Sequence, residues 1–165
     1  MAMDRATLLN KIIPEWAKKL NVPSGINPVA LLKALARQES TYGANAKPRR
    51  EKGYLPGGKY FNADQATRYA KYGKDAGSSW GSFQILYPTA VELGFTGVPL
   101  QLGDDRVGIG FVMELLNRRI LKRDKAQTIE QIADGYNSGT HRDKSIPNQY
   151  ITELRGHYDY YNRAT

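Results

Sequence analysis

The segment Asn27-Pro-Val-Ala-Leu-Leu-Lys-Ala-Leu-Ala-Arg-Gln-Glu-Ser40 carries the clearest helix signal in the chain. Asn27 is a good N-cap, and Pro28 suits the first helical position because its missing N–H needs no partner there. Leu32 and Glu39 are separated by seven residues, so a helix places this carboxylate in line with its apolar face. A carboxylate in that position needs a physical explanation.

Two effects predict an altered acidity for Glu39. Burying an unpaired carboxylate is costly unless the group keeps its proton, and the C-terminal end of a helix also disfavours negative charge. Both effects raise the pKa, which suits a general acid working near neutral pH. The competing interpretation is that the helix ends by Glu39 and that the side chain bends into water.

Composition excludes several other chemistries. The 165 residues suffice for one domain with a buried core, and 41% of them are hydrophobic. The chain has no cysteine, which excludes disulfides and thiol catalysis, and His141 and His157 are too few and too distant for a histidine metal cage. We therefore expect no metal and no other cofactor. No apolar run is long enough to span a membrane.

Positive charge is concentrated in one stretch. The chain has 24 Lys and Arg residues against 16 Asp and Glu, a net charge of +8. The stretch from Lys47 to Lys74 contains eight basic and two acidic residues and so carries +6 by itself. Such a stretch favours an anionic partner, which could be nucleic acid, a membrane surface or the acidic polymers of the bacterial wall.

Helical periodicity extends over most of the chain. Asp4 is a candidate N-cap for a first helix, in which Pro14 should produce a kink or a break. Further helices are expected after Pro88, over Val107–Leu121, from Thr128 and Gln131 (a capping box) to Tyr136, and from about Pro147 onward.

Residues 45–80 are expected to be irregular, with a small hairpin around Pro56-Gly57-Gly58. There are no internal repeats and no linkers of low complexity. The sequence therefore predicts one mainly α-helical domain over residues 1–165, with at most a small β-hairpin.

Other polar clusters have simpler explanations. Asp104 and Asp105 would introduce the helix that follows them. Ser138, His141 and Asp143 include the residue types of a catalytic triad, but neighbours in one loop cannot adopt triad geometry. Glu39 remains the carboxylate with an unusual environment.

Three short motifs occur in order along the chain. They are Glu39-Ser40, Gly81-Ser-Phe-Gln-Ile85 with the downstream Pro88-Thr-Ala90, and Gly135-Tyr-Asn-Ser-Gly139. This ordered set resembles the soluble lytic transglycosylase domain, which is related in fold to goose-type lysozyme. That family carries Glu-Ser, Gly-Leu-Met-Gln-Ile with Pro-x-Ala, Ala-Tyr-Asn-Ala-Gly, and a tyrosine on a late helix. The resemblance implies a lysozyme-like α+β domain.

The resemblance extends over about residues 27–161 and implies a role for each matched residue. Glu39 matches the catalytic acid and base, Gln84 a residue that binds substrate near the cleaved bond, and Tyr136 a cleft tyrosine that orients the glutamate. Tyr150 matches the late tyrosine. The residues expected to bind substrate are Ser40, Ser82, Phe83, Gln84, Tyr136, Asn137 and Tyr150.

Some of these residues have alternative explanations. Phe83 and Tyr150 could be core aromatics, while Ser82 and Asn137 could be turn residues. Ser82-Phe83 also replaces the usual Leu-Met, which alters the wall of the glycan site.

The gap between the first two motifs is longer than is usual in the family, and a basic insertion over residues 47–79 lies within it. We expect this insertion to flank the cleft and to hold the protein on anionic wall polymer. Ser78 and Ser79 are candidates for the serine that commonly positions substrate in this family.

The implied substrate is bacterial peptidoglycan, cut between N-acetylmuramic acid and N-acetylglucosamine. Glu39 alone would protonate the leaving oxygen and then deprotonate the sugar's 6-hydroxyl, which gives a 1,6-anhydro end without a second carboxylate. One alternative is a muramidase of the same fold, in which Glu51, Asp64 or Asp75 activates water. A non-catalytic basic domain that binds glycan or nucleic acid is a further alternative.

The expected partner is the glycan strand of peptidoglycan, acted on by a monomer, and nucleic acid is not expected as a ligand. Action on peptidoglycan implies the periplasm or the cell wall. Because the first residues do not resemble a signal peptide, we expect a phage-borne protein, such as a lysis enzyme, or export by another route.

Overall fold

Helices dominate the computed structural model, which describes residues 3–138 and 148–164. The helices are α1 (Arg5–Ala17), α2 (Pro28–Ser40), α3 (Ala63–Tyr72), α4 (Tyr87–Glu92), α5 (Asp105–Glu114), α6 (Ile129–Ser138) and α7 (Gln149–Arg163). The strands are β1 (Arg49–Arg50), β2 (Ser78–Trp80) and β3 (Ile85–Leu86). The prediction of a mainly α-helical chain is confirmed, and within the described residues none of the helices is long and apolar enough to cross a membrane.

Helix α2 is the central element of the core. Its N-terminus has the predicted form, with the Asn27 side chain accepting a hydrogen bond from the Ala30 N–H and Pro28 at the first helical position. Its apolar residues from Ala30 to Ala36 are fully buried, and the helix packs against α7 and α1. At its other end Thr41 takes a left-handed conformation, with φ at 52°, and this ends the helix directly after Glu39 and Ser40.

Helix α1 begins after Asp4, whose side chain accepts from the Thr7 N–H at 2.8 Å as predicted. Pro14 does not divide the helix, which continues to Ala17. The hydrogen bond lost at Pro14 costs stability, but Leu9 and Ile13 on the same helix are fully buried, and this packing holds the helix together.

The region over residues 45–80 is more regular than the sequence predicts. Asn62 caps helix α3, which the sequence analysis missed because its polar face predominates. The predicted hairpin around Pro56-Gly57-Gly58 is wrong, since these residues form a tight turn without strands. Strands β1 and β2 instead come from the two ends of the insertion and pair antiparallel, with Arg49 opposite Ser79.

The sheet therefore has three strands, in the antiparallel order β1-β2-β3, where the sequence predicted at most a hairpin. Strands β2 and β3 are joined by the four residues from Gly81 to Gln84. Gly81 has φ at 77°, and a Cβ atom there would lie 2.9 Å from a carboxylate oxygen of Asp105, so the turn requires glycine.

A buried carboxylate fixes this turn to the rest of the protein. Asp105 is 2% exposed and accepts hydrogen bonds from the N–H and the hydroxyl of Ser82. Its other partner is Arg5 on α1, at 3.0 Å, and the Arg5 guanidinium also donates to the Gly103 carbonyl. Asp104 caps α5 as predicted, whereas Asp105 has this separate anchoring role.

The second half of the chain departs from the predicted helices in one respect. Helix α5 continues into a nine-residue π-helix, Leu115–Arg123, within what was predicted as a single helix. Thr128 accepts from the Gln131 N–H at the start of α6, as predicted. Helix α7 begins at Gln149 with Asn148 as its N-cap, while the predicted start at Pro147 lies outside the described residues.

Replacing Asp105 with Asn should destabilise the protein by about 3 kcal/mol, because Arg5 loses its charged partner and a buried amide replaces an oxygen that accepts from Ser82. Asp104→Asn is the matched control and should change stability by less than about 0.5 kcal/mol, since Asn is an equally good N-cap. Urea denaturation of both variants measures the difference. Equal stabilities for the two variants would contradict the anchoring role.

Candidate active site

Glu39 lies in the last turn of α2, with its side chain 10% exposed at the wall of a cleft. The Tyr150 hydroxyl, from α7, donates to Oε2 of Glu39 at 2.5 Å. Arg49, from β1, donates to Oε1 at 2.5 Å and to the Glu39 carbonyl at 3.3 Å. The carboxyl group is thus turned away from bulk water, and the alternative of a solvated side chain does not describe this structure.

Opposing influences set the acidity of Glu39. Burial raises its pKa and is the largest effect. The hydrogen bond from Tyr150 and the charge of Arg49 lower the pKa, while the nearby charge of Glu51 raises it. The net result is a raised pKa, in the direction that the sequence predicts.

Gln84 lies beside this group because of the turn between β2 and β3, where it has φ at 51°. Its amide nitrogen donates to the carbonyls of Gly81 and Lys47, at 2.9 Å and 3.1 Å. The amide oxygen is left to accept from Nε of Arg49 at 2.7 Å. Arg49 therefore bridges Gln84 and Glu39, which the sequence analysis did not predict; the available signal was its place in the basic insertion.

The two predicted tyrosines have different partners. Tyr136, on α6, donates its hydroxyl to the Phe83 carbonyl at 2.6 Å, so it braces the β2–β3 turn, while Tyr150 makes the contact to Glu39. The predicted role of orienting the glutamate thus falls to Tyr150. Burial and the charge of Glu39 raise the pKa of both hydroxyls well above the usual value, which keeps Tyr150 protonated as a donor.

Four residues with predicted substrate contacts do not line the cleft: Tyr150, which binds Glu39, and Ser40, Ser82 and Phe83. Ser40 is 2% exposed, and its hydroxyl donates to the Ala36 carbonyl and accepts from the Gly43 N–H. Ser82 is fully buried against Asp105, and Phe83 is a core residue. The side chains of Ser40, Ser82 and Phe83 already contact backbone groups or core residues. They therefore stabilise the structure around the site and do not contact a ligand in the cleft.

The cleft has a volume of about 620 Å³ and combines charged, polar and aromatic walls. Its lining residues are Glu39, Arg49, Glu51, Tyr54, Tyr60, Ser79, Gln84, Ile85, Leu86, Pro88, Thr89, Glu92, Leu115, Arg119, Ile120, Arg123, Gly135, Tyr136, Asn137 and Ser138. Each of the three motifs therefore contributes to one cleft: Glu39 from the first, Gln84, Ile85, Pro88 and Thr89 from the second, and Gly135 to Ser138 from the third, while Gly139 lies outside the described residues.

The insertion forms one wall of this cleft. Ser79 lines it and donates to a Glu51 oxygen at 3.0 Å, whereas Ser78 is buried, so of the two candidate serines Ser79 has access to a ligand. Of the three acids named for a water-activating role, Glu51 reaches the cleft. Asp75 is instead paired with Arg50, at 2.6 Å.

The remaining acid of that set, Asp64, is exposed in the first turn of α3 and does not line the cleft. Glu92, on α4, is a further acid in the cleft wall, and it forms an ion pair with Arg119. Within residues 3–138 and 148–164 no group of three or more His, Cys, Asp or Glu residues could hold a metal ion.

Fold and site together define a small, mainly helical protein with one buried carboxyl group on the wall of a polar cleft. Comparisons with protein-family models, with curated proteins and with solved structures give no match for this chain. The chemistry of the site is therefore the basis for assigning a function.

We expect the stability of the protein to report the raised pKa of Glu39. Ionising Glu39 is less favourable in the folded protein than in the unfolded chain. Compared with Glu39→Gln, the wild type should therefore lose stability as the pH rises from about 4 through the raised pKa, and the difference should stay constant above it. Melting temperatures of both proteins at pH 4 and pH 8 measure this change.

Glu153→Gln is the control for that measurement. Hydrogen bonds from Gln38 and Gln149 lower the pKa of Glu153, so its contribution to stability is lost as the pH falls. As the pH rises, the stability of the wild type relative to Glu153→Gln should therefore increase slightly. This change is opposite in sign to the one expected relative to Glu39→Gln. The same sign for both variants would show that burial does not control the acidity of Glu39.

Proposed function

We propose that this protein is a lytic transglycosylase with a lysozyme-like fold that cleaves the glycan strands of peptidoglycan. The observation that carries the proposal is the Glu39 carboxyl group, buried at the cleft wall with a raised pKa and held by Tyr150 and Arg49. The meeting of the three motifs at this cleft supports it. Such a substrate implies action in the periplasm or the cell wall.

In the proposed reaction Glu39 acts twice. Protonated Glu39 donates its proton to the glycosidic oxygen, and the bond from that oxygen to C1 of the muramic sugar breaks. The resulting carboxylate then accepts the proton of the 6-hydroxyl while that oxygen bonds to C1. The products are a free 4-hydroxyl on N-acetylglucosamine and a 1,6-anhydro ring, and Glu39 regains its proton.

The neighbours of Glu39 suit both halves of this cycle. Burial favours the protonated acid that the first step needs. Hydrogen bonds from Tyr150 and Arg49 stabilise the carboxylate that exists between the two steps. Each of these effects thus stabilises one of the two forms of Glu39 that acid–base catalysis uses.

The chemistry of the cleft suits an uncharged, hydroxyl-rich ligand. Its walls carry the amides of Gln84 and Asn137 and the hydroxyl of Ser79, together with the rings of Tyr54 and Tyr60. Polar groups of this kind orient sugar hydroxyls, and the rings cover apolar C–H faces.

Glu51 favours a second candidate function, a muramidase that hydrolyses the same bond. Glu51 lines the same cleft, and its charge acts on Glu39. Among the described residues it accepts a hydrogen bond from Ser79 and forms no ion pair, so its carboxylate is available to bind a water molecule. A pair of carboxylates with a water molecule between them is the design of inverting glycosidases.

Glu39→Gln should keep the fold and lower the rate of wall lysis by a factor of about 10³ or more, because an amide cannot transfer the proton. Loss of turbidity in a suspension of purified cell walls measures the rate. Glu153→Gln, on the exposed surface of α7, is the control and should lyse walls at the wild-type rate. Wild-type lysis by folded Glu39→Gln would disprove the catalytic role, and wall binding without lysis by the wild type would indicate a binding module.

The products distinguish the two enzymes. A transglycosylase should release muropeptides that end in 1,6-anhydro rings, and Glu51→Gln should release the same products, since Glu39 works without a second carboxylate. A muramidase would release products that are heavier by one water and reducible by borohydride, and Glu51→Gln would abolish them. Mass spectrometry of unreduced digests from both proteins gives the answer.

A further inference from the structure

Two tyrosines of the insertion form a stacked pair at the cleft. The ring centroids of Tyr54 and Tyr60 lie 5.0 Å apart, with 24° between the ring planes. Both residues line the cleft, and Tyr60 is 48% exposed. We call these two residues the Tyr54–Tyr60 pair.

The turn that carries the pair has little room to rearrange. The Tyr60 N–H donates to the Gly53 carbonyl at 2.7 Å, which closes the chain between the two rings. A Cβ atom at Gly58 would lie 2.2 Å from the Lys52 carbonyl oxygen, and one at Gly53 would lie 3.0 Å from the Tyr60 ring. The two glycines therefore let the backbone close tightly enough to bring the rings together.

The same turn is fastened to the body of the protein. Gln65, 1% exposed on α3, donates its amide hydrogens to the carbonyls of Tyr54 and Ala76. The Glu51 N–H donates to the Gly77 carbonyl at 2.9 Å, just before the turn. The Tyr54–Tyr60 pair is thus held in place before any ligand arrives, which reduces the entropy lost on binding.

The Tyr54–Tyr60 pair lines the same cleft as Glu39, and the chain connects the two through Glu51. Glu51 lies two residues after Arg49, the partner of Glu39, and its carbonyl accepts from the Tyr54 N–H at 2.9 Å. The charge of Glu51 also raises the pKa of both Glu39 and Tyr54. The other charged groups that act on Tyr54 are Glu92 and Arg119, which line the cleft on α4 and on the π-helix. A strand whose scissile bond is at Glu39 would therefore pass Glu51 before it reaches the Tyr54–Tyr60 pair.

The charge of the cleft indicates the kind of ring that the pair would meet. Besides Glu39, the cleft wall carries charges of both signs, from Glu51 and Glu92 and from Arg49, Arg119 and Arg123. A groove that binds a phosphate backbone is uniformly positive. The mixed charge of this cleft instead favours a neutral chain. The C–H face of a pyranose ring fits the electron-rich face of a tyrosine. In Tyr60 the Lys59 ammonium also lies over the ring, 5.4 Å from its centroid.

We propose that the Tyr54–Tyr60 pair is a stacking platform for a sugar ring of the glycan strand, at a distance from the cleaved bond. This inference rests on the proposed function, because it takes the glycan as the ligand of the cleft. It adds a binding subsite formed by the insertion, outside the three motifs.

Tyr60→Ala should weaken the binding of chitohexaose, a soluble oligomer of N-acetylglucosamine, by about tenfold, while the binding of chitobiose stays unchanged because it is too short to span both sites. Tyr60→Phe keeps the ring and should bind like the wild type. Tyr160→Ala is the matched control, since Tyr160 is 61% exposed on α7 and does not line the cleft. Calorimetric titration gives the affinities, and circular dichroism verifies the fold of each variant.

The kinetics on cell walls provide a second measurement. Tyr60→Ala should raise KM by a similar factor and leave kcat unchanged, since the platform holds ground state and transition state equally. If Tyr60→Ala has the affinity and the KM of the wild type and still lyses walls, the stacking platform is disproved and the proposed function is unaffected. A wild type that neither binds chitohexaose nor lyses walls would overturn the proposed function. Binding of oligo-dT at physiological salt that is lost in Tyr60→Ala would overturn both in favour of a nucleic-acid ligand.

Discussion

The removal of the Glu39 carboxyl group from water is the constraint around which the rest of the site is arranged. An isolated carboxylate in that position would be costly, so it needs partners from elsewhere in the chain. Tyr150 reaches it from α7, 111 residues away in sequence, and Arg49 from β1, 10 residues away. The packing of α2 against α7 therefore determines the acidity of Glu39 as well as the stability of the core.

A second buried carboxylate fixes the turn that carries Gln84 into the cleft. Asp105 binds the turn between β2 and β3 and joins it to Arg5 on α1, so the backbone that carries Gln84 is attached to two helices. Tyr136 braces the same turn through the Phe83 carbonyl. Gln84 is consequently presented to Arg49 with its amide already oriented.

The basic insertion belongs to the site in this structure. Its ends form β1 and β2, and their pairing places Arg49 beside Glu39. Its first turn then supplies Glu51 and the Tyr54–Tyr60 pair to the cleft wall. Several of its charges are used in local contacts, such as Arg50 with Asp75, so part of the charge excess has a structural role. Whether the proposed reaction uses Glu39 alone or a pair of carboxylates accordingly depends on Glu51, a residue of the insertion.

Local signals determined the parts of this protein that depend on neighbours in sequence. The caps at Asp4 and Asn27, the apolar periodicity of α2 and the position of Glu39 on that face all follow from residues within a few turns, and these predictions are confirmed. The tertiary structure alone decided the strands, which are two or three residues long and exist because they pair, and the roles of Arg49, Asp105 and Tyr150. A buried charge is stabilised by whichever groups the fold brings within hydrogen-bond distance, and that distance is a property of packing between remote segments.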